Sequence, residues 1–193
     1  MRIGVFGGTF NPPHNGHKKL ALEIPGRLSL DLLIIVPTHI PPHKEARMLA
    51  DDEDRLNMCR LCFDEKNIVV SDVELKRDGK SYTVETLAQL KESYPDDKLY
   101  FIMGSDMLLS FHQWREPEKI LEFADICAVS RYKDETEKLR NYVKKYFAEY
   151  KDKFTVLEFE PIDISSTEIR NSKDTSMLPA KVAEYIKERG LYT

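Results

Sequence analysis

The sequence predicts an α/β fold: a doubly wound, Rossmann-like parallel sheet with helices on both faces, built as a single domain over residues 1–193. Three observations carry this expectation. Short runs of Val, Ile, Leu and Phe are apolar at consecutive positions, the pattern of strands covered on both faces. These runs alternate with stretches of helical periodicity, which implies parallel strands joined by crossover helices. The first run opens directly onto a segment dense in Gly, Pro and His, Gly7-Gly8-Thr9-Phe10-Asn11-Pro12-Pro13-His14-Asn15-Gly16-His17.

In chain order the predicted strands are Ile3–Phe6, Leu32–Pro37, Ile68–Ser71, Leu99–Met103, Ile126–Val129 and Phe154–Phe159. The predicted helices are Gly16–Glu23, Asp52–Phe63, Tyr82–Ser93, Pro117–Phe123, Glu135–Tyr150 and Ala180–Glu188. Pro25-Gly26 should interrupt the first helix or end it early. In the charged stretch 133–153, Tyr142, Tyr146 and Phe147 are expected to form the buried stripe of an amphipathic helix, with the charges as its solvated face. Ligands of such a sheet sit beyond the carboxyl ends of the strands, where the first loop and the loop after Met103 should meet.

At 193 residues the chain is large enough to bury roughly 70% of its unfolded surface in one domain. Its formal charge of −4, without a Lys/Arg-rich block, disfavours nucleic acid as a main partner. No apolar stretch is long enough for a membrane span, and the chain enters a strand at once rather than a signal peptide, so no membrane association is expected and the location should be cytoplasmic. Cys59, Cys62 and Cys127 suit a reducing compartment; Cys59 and Cys62 are spaced C-x-x-C, but among apolar neighbours and without a second pair they read as core cysteines. Homo-oligomer formation stays open. No G-x-x-x-x-G-K and no G-x-G-x-x-G occurs, which argues against P-loop kinases and dinucleotide-dependent dehydrogenases.

The parts of the first segment suit the handling of phosphates where a strand becomes a helix. Gly7 and Gly8 let the backbone turn and approach a ligand, and Pro12-Pro13 stiffens the loop. His14 and His17 are three apart and share a face on the first helical turn. That helix start offers N–H groups and the positive end of the dipole. Two His at this spacing could also bind zinc, but no carboxylate or Cys sits nearby to complete a shell, so no protein metal site is expected. In a second segment, Ile164-Ser165-Ser166-Thr167-Glu168-Ile169-Arg170, the hydroxyl residues are good N-caps and Arg170 returns to the same face as Ser166 and Thr167.

These two segments resemble the nucleotidyltransferase superfamily, whose hallmark is His-x-Gly-His, here His14-Asn15-Gly16-His17. Within it the chain looks most like the bacterial nicotinate-nucleotide adenylyltransferase family. Pro41-Pro42-His43-Lys44, Arg77 with Ser81-Tyr82-Thr83-Val84-Glu85-Thr86-Leu87, Phe101-Ile102-Met103-Gly104-Ser105-Asp106-Met107-Leu108, Trp114, and Tyr185-Ile186 with Gly190-Leu191-Tyr192 extend the match over nearly the whole chain. The resemblance implies adenylyl transfer from ATP to nicotinate mononucleotide, with Mg²⁺ carried by ATP. It implies His14 and His17 as catalytic hydrogen-bond donors at the α-phosphate, with Thr9 adding one more. Gly7, Gly8, Phe10, Lys44, Gly104, Asp106, Ser165, Ser166, Thr167 and Arg170 complete the implied ATP site. Thr83, Val84, Thr86, Asp106, Trp114 and Arg115 form the implied acceptor site, with Trp114 stacked on the pyridine ring and backbone N–H groups at its carboxylate.

Two departures stand out. Asn11 occupies a place where many relatives carry Asp, so a carboxylate base is excluded there, although Asn can pin the loop by hydrogen bonds. Arg131-Tyr132-Lys133 stands where the family often has Arg-Pro-Gly. Alternatives are an adenylyltransferase accepting nicotinamide mononucleotide, or a phosphopantetheine adenylyltransferase, whose relatives usually carry Thr in place of His14.

Overall fold

The structure, a computed structural model, describes residues 1–40, 49–130, 135–160 and 164–192. Six strands, β1 (Arg2–Gly8), β2 (Leu32–Pro37), β3 (Ile68–Val70), β4 (Lys98–Gly104), β5 (Ala124–Ser130) and β6 (Phe154–Glu158), pair in parallel in the order β3-β2-β1-β4-β5-β6. The winding therefore reverses between β1 and β4, the crevice where open α/β sheets place their ligands. Phe6 lies opposite Ile102, so two residues further on Gly8 and Gly104 finish these strands side by side.

Alternation along each strand feeds two cores. Phe6, Leu33, Ile35, Ile102 and Cys127 face one side, packed with residues of α1 (Asn15–Leu28), α2 (Asp52–Cys62), α7 (Ser166–Ser172) and α8 (Ala180–Arg189). Ile3, Val5, Ile34, Val36, Leu99, Phe101 and Ile126 face the other, against α3 (Thr83–Ser93), α4 (Ser105–Leu108), α5 (Pro117–Phe123) and α6 (Glu135–Tyr146). Burying both faces explains the uniformly apolar strands. Cys59, Cys62 and Cys127 lie in the core as free thiols, and burial pushes Cys62 and Cys127 up to about 12. No described helix is long and apolar enough to cross a membrane.

All six predicted strands are present, with three corrections elsewhere. The first helix does not stop at Pro25-Gly26 but runs to Leu28. Proline removes one intrahelical bond, yet Ile24, Pro25 and Leu28 are all buried, and the Pro25 carbonyl still accepts the Leu30 N–H at 2.9 Å beyond a left-handed cap at Ser29. The helix after β5 ends at Tyr146, and a 3-10 stretch, Ala148–Lys153, continues the chain. Its buried face is Thr136, Leu139, Tyr142 and Val143; Phe147 is buried just beyond, but Tyr146 is 42% exposed and stacks on His112, ring centroids 4.1 Å apart. Tyr146 keeps the helical phase of Leu139 and Tyr142; it is exposed as the last residue of the helix, where it stacks on His112 instead of entering the core.

Candidate active site

Gly7 and Gly8 belong to β1 itself, opposite Val36 and Pro37, so the turn predicted at the glycines begins at Thr9 instead. Phe10 has φ 48° and folds its ring back over Gly8, where an added Cβ would come within 3.0 Å of it. The ring is 2% exposed and packs edge-on against Phe6, Phe63 and His17. The Phe10 side chain thus supports the loop from the core.

His14 is the N-cap of α1 and His17 the third residue of the helix. Each backbone N–H donates to the other's Nδ1, His14 N–H to His17 at 3.3 Å and His17 N–H to His14 at 3.4 Å. This is a capping box built from two imidazoles. With both Nδ1 atoms accepting, the neutral rings carry their protons on Nε2. The rings stack at 3.7 Å between centroids, so both Nε2–H groups belong to one face. His14 is 7% exposed, buried with the loop residues before it. Part of the helix start is also engaged, since the Asn15 N–H donates to the Met177 carbonyl at 3.0 Å. Among the described residues Gly16 retains its N–H for a ligand.

The second motif is docked onto the first. Ser165 caps α7 through the Glu168 N–H at 3.1 Å, and the Ser166 hydroxyl donates to the Pro12 carbonyl at 2.9 Å. Arg170 donates to the Asn11 carbonyl at 2.7 Å and to the Thr167 hydroxyl at 3.3 Å. These groups hold the loop between β1 and α1. Thr167 is exposed. Lys44 lies outside the described residues, as do His43 and Arg131-Tyr132-Lys133.

Across the crevice, Gly104 ends β4, and a Cβ there would lie 2.7 Å from Asp106 Oδ1; the missing side chain leaves room for that exposed carboxylate. Trp114 is half-buried, edge-on to Phe101 and Phe111. Thr83 and Val84 open α3, so their N–H groups precede the first intrahelical bonds. Arg115 stacks on Tyr82 at 4.5 Å and pairs with Glu85 at 2.8 Å, which keeps it beside that helix start. Thr86 is 3% exposed, donating to Glu74 and accepting from Arg77, each at 2.7 Å. A cavity of about 460 Å³ between β3 and α3, lined by Ser71, Asp72, Gln89 and Tyr94, stands apart from these groups and brings no phosphate-binding chemistry.

Sequence reading missed Arg55. It is 0% exposed and ion-paired to Asp52, and its guanidinium donates to the carbonyls of Thr38 (2.6 Å), Thr9 (2.9 Å), Ala50 (3.2 Å) and His39 (3.3 Å). Within an amphipathic helix nothing distinguished it from a surface arginine. His39 pairs through Nδ1 with Asp52.

A parallel sheet wound from a central crevice, two stacked imidazoles at a helix start and a serine-threonine-arginine helix locked against them define the class of nucleotidyltransferases. The cytidylyltransferase-like family model matches residues 5–172. The nicotinate-nucleotide adenylyltransferase of Bacillus subtilis is 36% identical over 99% of this chain and 98% of its own length. A probable nicotinate-nucleotide adenylyltransferase of Aquifex aeolicus is 43% identical over 87% of this chain and 100% of its own. The chain belongs to the nicotinate-nucleotide adenylyltransferase family. Its fold is also that of the Plasmodium falciparum nicotinic acid mononucleotide adenylyltransferase complexed with NaAD, with a TM-score of 0.79, 21% identity, and coverage of 99% of this chain and 97% of that one.

Proposed function

We propose that this chain transfers the adenylyl group of ATP to nicotinate mononucleotide, giving nicotinate adenine dinucleotide and pyrophosphate in NAD biosynthesis. The observation that carries the reading is the docking of Ser166 and Arg170 onto the Pro12 and Asn11 carbonyls, which unites the two phosphate motifs of this family in one crevice. An oxygen of the mononucleotide phosphate attacks the α-phosphorus in line; that P–O bond forms as the bond to the β-phosphate oxygen breaks, and pyrophosphate leaves. The attacking phosphate is already ionised, so no general base and no covalent intermediate are required, and catalysis rests on positioning and on donors at the phosphoryl oxygens.

In this reading His14, His17 and Thr9 serve the α-phosphate, and Arg170 with the Thr167 hydroxyl and Lys44 serve the distal phosphates. Gly104 and Asp106 meet ribose, and Trp114, Arg115 and the N–H groups of Thr83 and Val84 meet the pyridine carboxylate. The donor set is imidazole, hydroxyl and guanidinium, suited to phosphate oxygens rather than to a hard cation, so the divalent metal, Mg²⁺, would be held by the ATP phosphates and neutralise charge there. The chain would act as one cytoplasmic domain. Pyrophosphate release is the test: ATP with nicotinate mononucleotide should support it, and ATP with phosphopantetheine should not.

A further inference from the structure

The loop between β1 and α1 is held from an unexpected direction. After α8 the chain turns at Gly190 (φ 60°), the Leu191 N–H closes on the Ile186 carbonyl at 3.0 Å, and Tyr192 folds inward to pack against the core. The Tyr192 hydroxyl donates to Asn11 Oδ1 at 2.6 Å, and the Ala50 N–H donates to the same oxygen at 3.1 Å. Asn11 is 3% exposed, and its main-chain carbonyl is the one that Arg170 holds. One residue thus ties together α7, the entry to α2 and the segment after α8. Burial pushes the Tyr192 phenol well above its ordinary value, so the hydroxyl stays a donor throughout the working pH range.

We infer that Tyr192 is a positioning residue for adenylyl transfer, acting through Asn11 to fix the loop that carries Thr9 and leads into His14 and His17. The inference rests on the proposed reading that this loop holds the ATP phosphates. In-line attack tolerates little displacement of the bound α-phosphate, and the loop has no regular hydrogen-bond ladder of its own between Thr9 and His14. Beside the Arg55–Thr9 and Ser166–Pro12 bonds, Asn11 therefore helps to set its position through bonds to distant segments, and Tyr192 supplies the shortest of those described.

The test is a double-mutant cycle in pyrophosphate release with ATP and nicotinate mononucleotide. Tyr192→Phe removes one oxygen and keeps the ring, so the protein should fold and melt close to wild type while kcat falls about 3- to 10-fold, the effect of one lost hydrogen bond. KM for the mononucleotide should not move. In an Asn11→Ala background, adding Tyr192→Phe should cause no further loss. Should Asn11→Ala fail to fold, Asn11→Asp keeps the accepting oxygen and must show the full effect of Tyr192→Phe. Wild-type kcat in Tyr192→Phe, or losses that multiply in the Asn11→Ala double variant, would overturn the inference. A wild-type chain that releases no pyrophosphate would instead remove the reading beneath it.

Discussion

The imidazoles of His14 and His17 cap one helix reciprocally, each Nδ1 accepting the other residue's backbone N–H, with ring centroids 3.7 Å apart. Nδ1 of each ring thereby holds α1 in place, and under the proposed function the Nε2 edge serves phosphate.

The division makes the two roles separable. His17→Ala should lower turnover about 10²- to 10³-fold through the lost donor. It should also lower the melting temperature by about 2–4 °C, because a broken cap is worth about 1 kcal/mol. His14→Asn can still accept at the cap but has no Nε2–H, so its melting temperature should stay near wild type while turnover falls. Melting curves beside steady-state rates check both, and a full-rate His14→Asn would remove the phosphate role of that ring.

Arg170 spans the two motifs, and its substitution should affect both. Arg170→Ala releases the Asn11 carbonyl and withdraws positive charge, so apparent ATP affinity and turnover should fall together. Arg170→Lys should recover little of either, since an ammonium cannot bond Asn11 and a phosphate with a planar fork. Unchanged ATP affinity in Arg170→Ala would contradict the assignment.

Arg55 should matter most for stability. Its guanidinium gathers three carbonyls that flank residues 41–48 and that of Thr9 after β1, and its removal strands them together with Asp52. Arg55→Met should cost about 3 kcal/mol in urea unfolding, as expected when one partner of a buried charge network is lost. A loss below about 1 kcal/mol, typical of a surface pair, would show that the network is dispensable.

Glu74 offers a pH test. It is 7% exposed, its Oε2 has no hydrogen-bond partner among the described residues, and burial raises its pKa. A carboxyl whose folded pKa exceeds its unfolded value, about 4.3, binds its proton more tightly when folded. It therefore loses stability as pH rises between those two values. Wild type should accordingly weaken relative to Glu74→Gln as pH climbs from 4 toward neutrality, in urea midpoints measured at several pH values. A gap that stays constant with pH would place the Glu74 pKa at its ordinary value.

What could be read in the sequence follows from how local its cause is. Runs such as Leu32–Pro37 declare themselves because double burial demands apolar residues at every position. The shared face of His14 and His17 at the start of α1 was legible from their spacing of three, but their reciprocal capping was not. The continuation of α1 past Pro25 was not, because it depends on burying Ile24 and Leu28 against a sheet formed elsewhere in the chain. Phe10 and Thr86 carried residue types suited to ligands, and only the packed neighbours Phe63 and Glu74 show them turned inward. Arg55 and Tyr192 act across 46 and 181 residues of sequence, a separation no spacing rule reaches.

The last expectation concerns the acceptor. Thr83 and Val84 present N–H donors at the start of α3, Arg115 is held beside them by Tyr82 and Glu85, and Trp114 stands half-exposed as a flat platform. Donors alone suit a carboxylate, whose oxygens both accept. A nicotinamide ring would turn an NH₂ toward one of them, leaving donor against donor in a desolvated site, and such mismatches cost several kcal/mol. Catalytic efficiency should therefore favour nicotinate over nicotinamide mononucleotide by about 10²-fold or more. Trp114→Ala should reduce efficiency for the mononucleotide far more than affinity for ATP, because the ring would lose its stacking partner while the phosphate loops stay untouched. Steady-state kinetics with both mononucleotides decides the matter. Equal efficiencies would leave adenylyl transfer in place and refute recognition of the acid through these donors.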